Sequence, residues 1–240
     1  DFDGDGTSEI AVFRPASGLW AVRGITRLSF GAPGSLPVNG DHDGDGTDDI
    51  AVFSPSSGLW AVRAVTRFFY GNSSDSPVPS DLDGDGTADS AVFREATGLW
   101  AIRGSSRFYL GTAGDFPIAS DSRGDRTADV GIFRPGLGLW TIRGATRFYL
   151  GGSSDLPVYL DHDGDGTESA GIFRPASGLW TIRGLTRFFF GSAGDIPCPA
   201  DPDGNGSGEP IVFRGGQGLW AARGLTRLFF GSAADIPVAK

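Results

Sequence analysis

Apolar residues fall in short runs along this chain, three or four at a time, and each run is cut off by Gly, Pro or Asp. Residues 1–40 show the unit: Ala11-Val12-Phe13, then Leu19-Trp20-Ala21-Val22, then a mixed stretch from Thr26 to Phe30. No helical spacing appears, so the pattern predicts strands and tight turns. A strand is predicted over residues 10–14, a turn over 15–18 and a second strand over 19–23. Gly24-Ile25 reads as a two-residue hairpin turn in which Gly supplies positive φ. A third strand follows over 26–30, a turn over 31–35 and a short fourth strand over 36–39. Pro37 lies near the start of that strand and recurs as Pro77, Pro117, Pro157, Pro197 and Pro237. A strand tolerates proline at its first residue better than in its middle, because proline donates nothing to the ladder.

The whole unit recurs. The 240 residues align on themselves at a period of 40 without insertion or deletion, as repeats 1–40, 41–80, 81–120, 121–160, 161–200 and 201–240. A fixed period in this range marks a solenoid, a propeller or an array. Four short strands per repeat, with apolar runs suited to burial on both faces, match a propeller blade. The expected fold is all-β: a single six-bladed β-propeller over 1–240, with four antiparallel strands per blade. The chain opens at the acidic segment of a repeat and ends with Asp235-Ile236-Pro237-Val238, the strand that the first blade lacks. The C-terminal strand is therefore expected to close the ring, which removes exposed edges and brings Lys240 near Asp1. A chain that opens inside a repeat, without an initiator Met, is expected to be a mature product or an excised fragment.

Each repeat opens with Asp-x-Asp-Gly-Asp-Gly or a variant of it. Odd-numbered side chains of such a tight loop converge on one centre, and calcium takes oxygen ligands from such loops. All-oxygen donors favour Ca²⁺, or secondarily Mg²⁺ or Mn²⁺, over zinc or copper. The candidate ligands of the first copy are Asp1, Asp3, Asp5, Thr7 (through its carbonyl) and Glu9. Those of the second are Asp41, Asp43, Asp45, Thr47 and Asp49, and those of the third are Asp81, Asp83, Asp85, Thr87 and Asp89. The fifth keeps Asp161, Asp163, Asp165 and Thr167 but has Ser169 in ninth place, with Glu168 displaced by one. The sixth offers Asp201, Asp203, Asn205, Ser207 and Glu209. The fourth carries Arg123 and Arg126, and a guanidinium there is expected to replace the ion by bonding Asp121, Asp125 or Asp129. About five Ca²⁺ ions are expected, with the fourth loop vacant.

On these residues the chain resembles the FG-GAP/VCBS repeats, the calcium-binding β-propellers that include the integrin α-subunit headpiece. The acidic loop carries the resemblance, together with the Phe-Gly step after the third strand, which in the first repeat reads Phe30-Gly31-Ala32-Pro33. The resemblance covers all six repeats and implies a secreted or cell-surface location with roles in adhesion or ligand recognition. Related propellers also serve as lectins and as accessory domains of larger extracellular enzymes. Integrin propellers have seven longer blades, and the fourth loop here departs from the motif.

Trp20, Trp60, Trp100, Trp140, Trp180 and Trp220 recur in Gly-Leu-Trp. With a two-residue hairpin turn, Trp20 would face Ser29, and its counterparts Phe69, Tyr109, Tyr149, Phe189 and Phe229, with Arg27 and its copies on the same face. Aromatic pairing under a cation would stabilise the outer blade. Were those tryptophans exposed, they would offer a saccharide platform. Arg23 and Arg27 with their copies make two rings of positive charge, expected to be salt-bridged or stacked between blades, or to meet an anionic glycan. Asp75, Asp115, Asp155, Asp195 and Asp235 share one phase ahead of Pro and read as turn caps. Arg123-Gly124-Asp125 spells an adhesion tripeptide, which loop drift explains.

Charge and composition narrow the function. Of 29 acidic residues, 23 lie in the first nine positions of the repeats, within a formal net charge of −9. Five dications would bring that to about +1. A nucleic-acid binder would instead show a basic stripe. No apolar run is long enough to insert in a membrane. One cysteine and two histidines argue against a disulfide framework, a zinc site and histidine-based catalysis. No nucleophile elbow or phosphate loop is present. The chain is expected to be non-enzymatic, an adhesion, recognition or structural module with an extracellular protein or glycan as partner. Alternatives are a multivalent lectin, an accessory domain of a larger secreted enzyme, or self-assembly through the terminal strand.

Overall fold

The computed structural model describes residues 1–238 and shows six four-stranded antiparallel sheets, the blades of a six-bladed β-propeller. Blade 1 contains Ala11–Arg14, Leu19–Val22 and Thr26–Ser29, and its inner strand is Ile236–Val238 from the C-terminus. Ala11 lies opposite Val238 and Phe13 opposite Ile236, so the chain closes its own ring as expected. Every other blade takes its inner strand from the end of the preceding repeat: Leu36–Pro37 pairs with Ala51–Ser54 in blade 2. The inner strands of blades 4 and 5, Phe116–Ser120 and Leu156–Leu160, are longer. The expected proximity of Lys240 and Asp1 lies outside the described residues.

Strand alternation explains why both faces of each blade are apolar. In blade 1, Ala11, Phe13, Trp20 and Val22 form a bulky face that packs on Val52 and Ala61, the small face of blade 2. The same bulky-on-small contact closes the ring, where Phe213 and Trp220 meet Val12 and Ala21. Phe13 and Trp20 are cross-strand partners with ring centroids 5.1 Å apart, tilted at 51°. The six tryptophans and their phenylalanine partners are 0–1% exposed. Truncating one such tryptophan to Ala would cost about 3–5 kcal/mol.

Total burial removes the tryptophans as a saccharide platform, since none presents a ring face to solvent. The hairpin register also differs from the expected one. Trp20 lies opposite Leu28, not Ser29, and its counterparts face Phe68, Phe108, Phe148, Phe188 and Leu228. The cause is the turn. Val22 pairs with Thr26, leaving a three-residue connection, Arg23-Gly24-Ile25, with Gly24 at φ 83°. One extra loop residue shifts the register by one and exchanges the faces of the third strand. Arg27 therefore lies opposite Ala21, on the face away from Trp20.

The predicted turn caps do cap turns: the Ser232 amide donates to Asp235 Oδ2 at 2.7 Å. They also form ion pairs that the sequence reading missed. Arg14 donates from Nε and Nη2 to both carboxylate oxygens of Asp235, at 2.6 and 2.9 Å. Arg94–Asp75, Arg134–Asp115, Arg174–Asp155 and Arg214–Asp195 repeat the fork. Burial would raise the Asp235 carboxyl, but hydrogen bonds from Arg14 and Ser232 outweigh it and hold the group below its ordinary range. The stability this contributes is present above the usual carboxylate pKa and is lost as pH falls through the lowered one.

Blade 2 replaces both members together: Ser35 and Ser54 stand in place of Asp and Arg, with hydroxyls 2.9 Å apart. This substitution supplies a test. Arg94→Ser strands the Asp75 carboxylate, whose side chain is fully buried, and is expected to cost about 3 kcal/mol. The double variant D75S/R94S, copying blade 2, is expected to recover at least half of that loss in a denaturant-unfolding cycle. Additive single effects would show that the fork carries no coupling.

Candidate metal centres

Five of the acidic loops join an inner strand to the second strand of its blade and the first leads from the N-terminus into Ala11–Arg14, so all six gather around one mouth of the propeller. They are tied into a ring. The amide at position 8 of each loop donates to the position-1 carbonyl of the loop before it. Examples are Asp48 to Asp1 and Ala88 to Asp41 at 2.6 Å, and Ser8 to Asp201 at 2.7 Å across the closure. Contact is close enough that a Cβ on Gly84 would lie 2.6 Å from Thr127 Oγ1 of the next loop.

Within a loop, the first aspartate is the hub. Asp1 accepts the Gly4 amide on Oδ1 at 2.6 Å and the Gly6 amide on Oδ2 at 2.9 Å. Asp41, Asp81, Asp161 and Asp201 repeat this. Gly6, at φ 87°, adopts a backbone that L side chains rarely reach. Thr7 donates both its amide and its hydroxyl to Asp5, and Thr47 and Thr87 do the same to Asp45 and Asp85. These bonds hold Asp5, Asp45 and Asp85 below the usual carboxylate range. Thr167 and Ser207 use the amide alone, toward Asp165 and Asn205. The spacing did not reveal this use of position 7, although a hydroxyl two residues after a carboxylate is a recognisable turn signal.

Among the described residues, five groups bring carboxylate oxygens within 4.8 Å of one another: Asp1, Asp3, Asp5 and Glu9; Asp41, Asp43 and Asp45; Asp81, Asp83 and Asp85; Asp161, Asp163 and Asp165; Asp201, Asp203 and Glu209. These are the five loops singled out from the sequence. The ninth position behaves unevenly. Glu9 and Glu209 join their groups, whereas Asp49 and Asp89 stand outside them and accept the His42 and Leu82 amides at 3.0 Å. Their shorter side chains explain the difference. Burial, opposed by those amides, raises both carboxyls. Glu209 Oε2 is buried without a hydrogen-bond partner, and burial together with Asp203 and Asp201 pushes this carboxyl up to about 7.

The fourth loop carries its own cation. Arg123 Nη2 lies 2.5 Å from Asp129 Oδ1 and 3.7 Å from Asp125 Oδ2. Arg126 occupies the place of a glycine at φ 65°, its amide donating to Asp121 Oδ2. The Arg-Gly-Asp tripeptide is thus engaged within its own loop. In the fifth loop, Glu168 accepts the Asp121 amide.

The inner strands and neighbouring acidic loops line an open cavity of about 630 Å³ whose wall includes Ser120, Tyr159, Cys198, Pro199, Asp121 and Arg126. It is mostly apolar. The hydroxyls of Ser120 and Tyr159 are buried without completing a hydrogen bond, and burial pushes the Cys198 thiol far up, away from nucleophilic use.

No protein-family model matches the chain, and no match is found among curated proteins. The reading of these loops therefore stands on their own geometry. Removing the internal cation tests it. Arg123→Ala leaves the Asp129 side chain, 3% exposed, with only Ser122 as a side-chain donor, and is expected to lower unfolding free energy by about 1–3 kcal/mol. The exposed Arg107→Ala should change it by less than about 0.5 kcal/mol. Equal losses in chemical denaturation would show that the Arg123 pair does not hold the loop.

Proposed function

We propose that the chain is a calcium-stabilised β-propeller of the FG-GAP/VCBS type, working outside the cell or on its surface as a non-enzymatic recognition or structural module. The observation that carries this is the ring of five carboxylate groups at one mouth, each linked to the next loop by a backbone hydrogen bond. The donor set fits a hard cation: it is all oxygen, and carboxylates packed so closely repel one another unless neutralised. Glu209 Oε2, buried and unpartnered, is an acceptor that such a cation would satisfy. Asp1, Asp3, Asp5 and Glu9, with their counterparts in loops two, three, five and six, would hold the ions. When bound, the metal supplies the positive charge that Arg123 supplies in loop four.

A non-catalytic role is supported by where the remaining acids are used. Of the six acids outside the loops, Asp75, Asp115, Asp155, Asp195 and Asp235 are each forked to an arginine, which leaves only Glu95, an acceptor of the Gly114 amide, where a carboxylate pair needs two free groups.

Native mass spectrometry in calcium acetate is expected to show about five ions per chain. At ten times a typical dissociation constant each site adds about 1.4 kcal/mol, so five add about 7 kcal/mol. Chelation should therefore lower Tm by on the order of 15 °C or more. The variant R123D/R126G, which restores the motif in loop four, is expected to take up one ion more. An unchanged Tm in chelator, with no bound ion detected, would overturn the proposal.

A further inference from the structure

Apart from Arg123 and Arg126 of loop four, the structure divides the arginines into three sets around the ring with different fates. Those at the end of the second strand, such as Arg14, are forked to buried aspartates. Those in the hairpin turn stack between blades: Arg103 over Phe68 and Arg143 over Phe108 at 4.0 Å, Arg183 over Phe148 and Arg223 over Phe188 at 4.1 Å. Arg23 and Arg63 follow blades that carry Leu228 and Leu28 at that place. The third ring is Arg27, Arg67, Arg107, Arg147, Arg187 and Arg227 on the outer strands. All six are exposed, and among the described residues none of their side chains makes a salt bridge, hydrogen bond or ring contact.

Two positions on, along the same face, stand Phe69, Tyr109, Tyr149, Phe189 and Phe229, 73–75% exposed. Blade 1 has Ser29 instead. Charged residues on an outer strand are explained by the need to discourage edge pairing between molecules. Five large exposed aromatics beside them work against that purpose and add nothing to the buried core. Ser29 shows that the strand forms with a small polar residue at this place.

Blades diverge toward the rim, which leaves clefts between neighbours. One of 350 Å³ has Arg27, Leu19 and Arg14 of blade 1 on one wall and Phe229 on the other, with Asp235 in the lining. A smaller cleft of 140 Å³ between blades 5 and 6 includes Arg227 and the forked Arg214–Asp195 pair. The outer halves hold almost no free negative charge. Outside the loops, the acids are the five forked aspartates and Glu95, which accepts the Gly114 amide. The rim is thus positive and aromatic, while the acids crowd the mouth.

We propose that this rim binds an anionic polysaccharide. Each outer-strand arginine takes a sulfate or carboxylate group in a bidentate, charge-assisted contact, and the neighbouring aromatic ring packs on a pyranose face. Six weak, evenly repeated contacts suit a long polymer, because each further contact along one chain is intramolecular. This rests on the recognition half of the function proposed above and names its ligand class.

The test uses the full chain in calcium, with sulfated dextran, neutral dextran and a 20-nucleotide oligothymidine as probes in surface plasmon resonance. Sulfated dextran is expected to bind at least tenfold more tightly than the other two. The triple variant R67A/R107A/R147A should weaken that binding at least tenfold with Tm unchanged. F69S/Y109S/Y149S, copying Ser29, should weaken it several-fold and leave a more salt-sensitive remainder. Should either triple variant unfold, R187A/R227A and F189S/F229S are read instead. The inference is overturned if sulfated dextran fails to bind, if the arginine variants bind as tightly as the parent, or if oligothymidine binds equally well. It is also overturned if sedimentation shows self-association that these variants abolish, since the rim would then be occupied by a second copy. Rim binding together with an unchanged Tm in chelator and no bound ion would leave this inference standing while the calcium reading failed.

Discussion

A four-stranded blade of this composition cannot be stable alone, because both of its faces are apolar. Phe13 and Trp20 on the bulky face need Val52 and Ala61 of the next blade, and Val12 and Ala21 on the small face need Trp220 of the one before. Every blade is therefore both support and load, and the arrangement is complete only as a closed ring. The terminal strand Ile236–Val238 meets that condition by finishing blade 1. Period, blade geometry and closure all follow from one repeated contact between a large face and a small one.

On this apolar frame charge is sorted by radius and by face. Carboxylates gather at one mouth, where backbone amides of tight glycine turns aim them at common centres. A layer of forked Asp–Arg pairs ties five of the six turns after an outer strand to the second strand of the following blade. At the rim the arginines either stack between blades or stand free beside exposed rings. The formal charge of −9 conceals this separation, which gives one molecule an oxygen-rich mouth suited to hard cations and a basic, aromatic periphery suited to anions.

Departures from the repeat occur as matched sets. Blade 2 loses an aspartate and an arginine together and forms a Ser35–Ser54 hydrogen bond. Loop four loses an acid, gains Arg123, and bonds it to Asp129. In both places a buried charge is either partnered or removed with its partner, because an unpaired one in such a setting costs several kcal/mol.

The repeat length, the strand content, the blade number and the closing strand were all legible in the sequence, because each depends on local periodicity and turn residues repeated six times. So were the five acidic groups and the internal cation of loop four, since a tight loop converges its own odd-numbered side chains. The faces of the outer hairpin were not legible. One more residue in the Arg63-Ala64-Val65 turn than expected turns Phe68 inward, half-buried, and exposes Phe69, and composition is blind to that choice. The arginines were likewise indistinguishable by type and spacing. Only the packing of one blade on the next decides that Arg14 forks a buried aspartate and Arg103 covers a ring, while Arg27 faces solvent, because those partners belong to a different repeat.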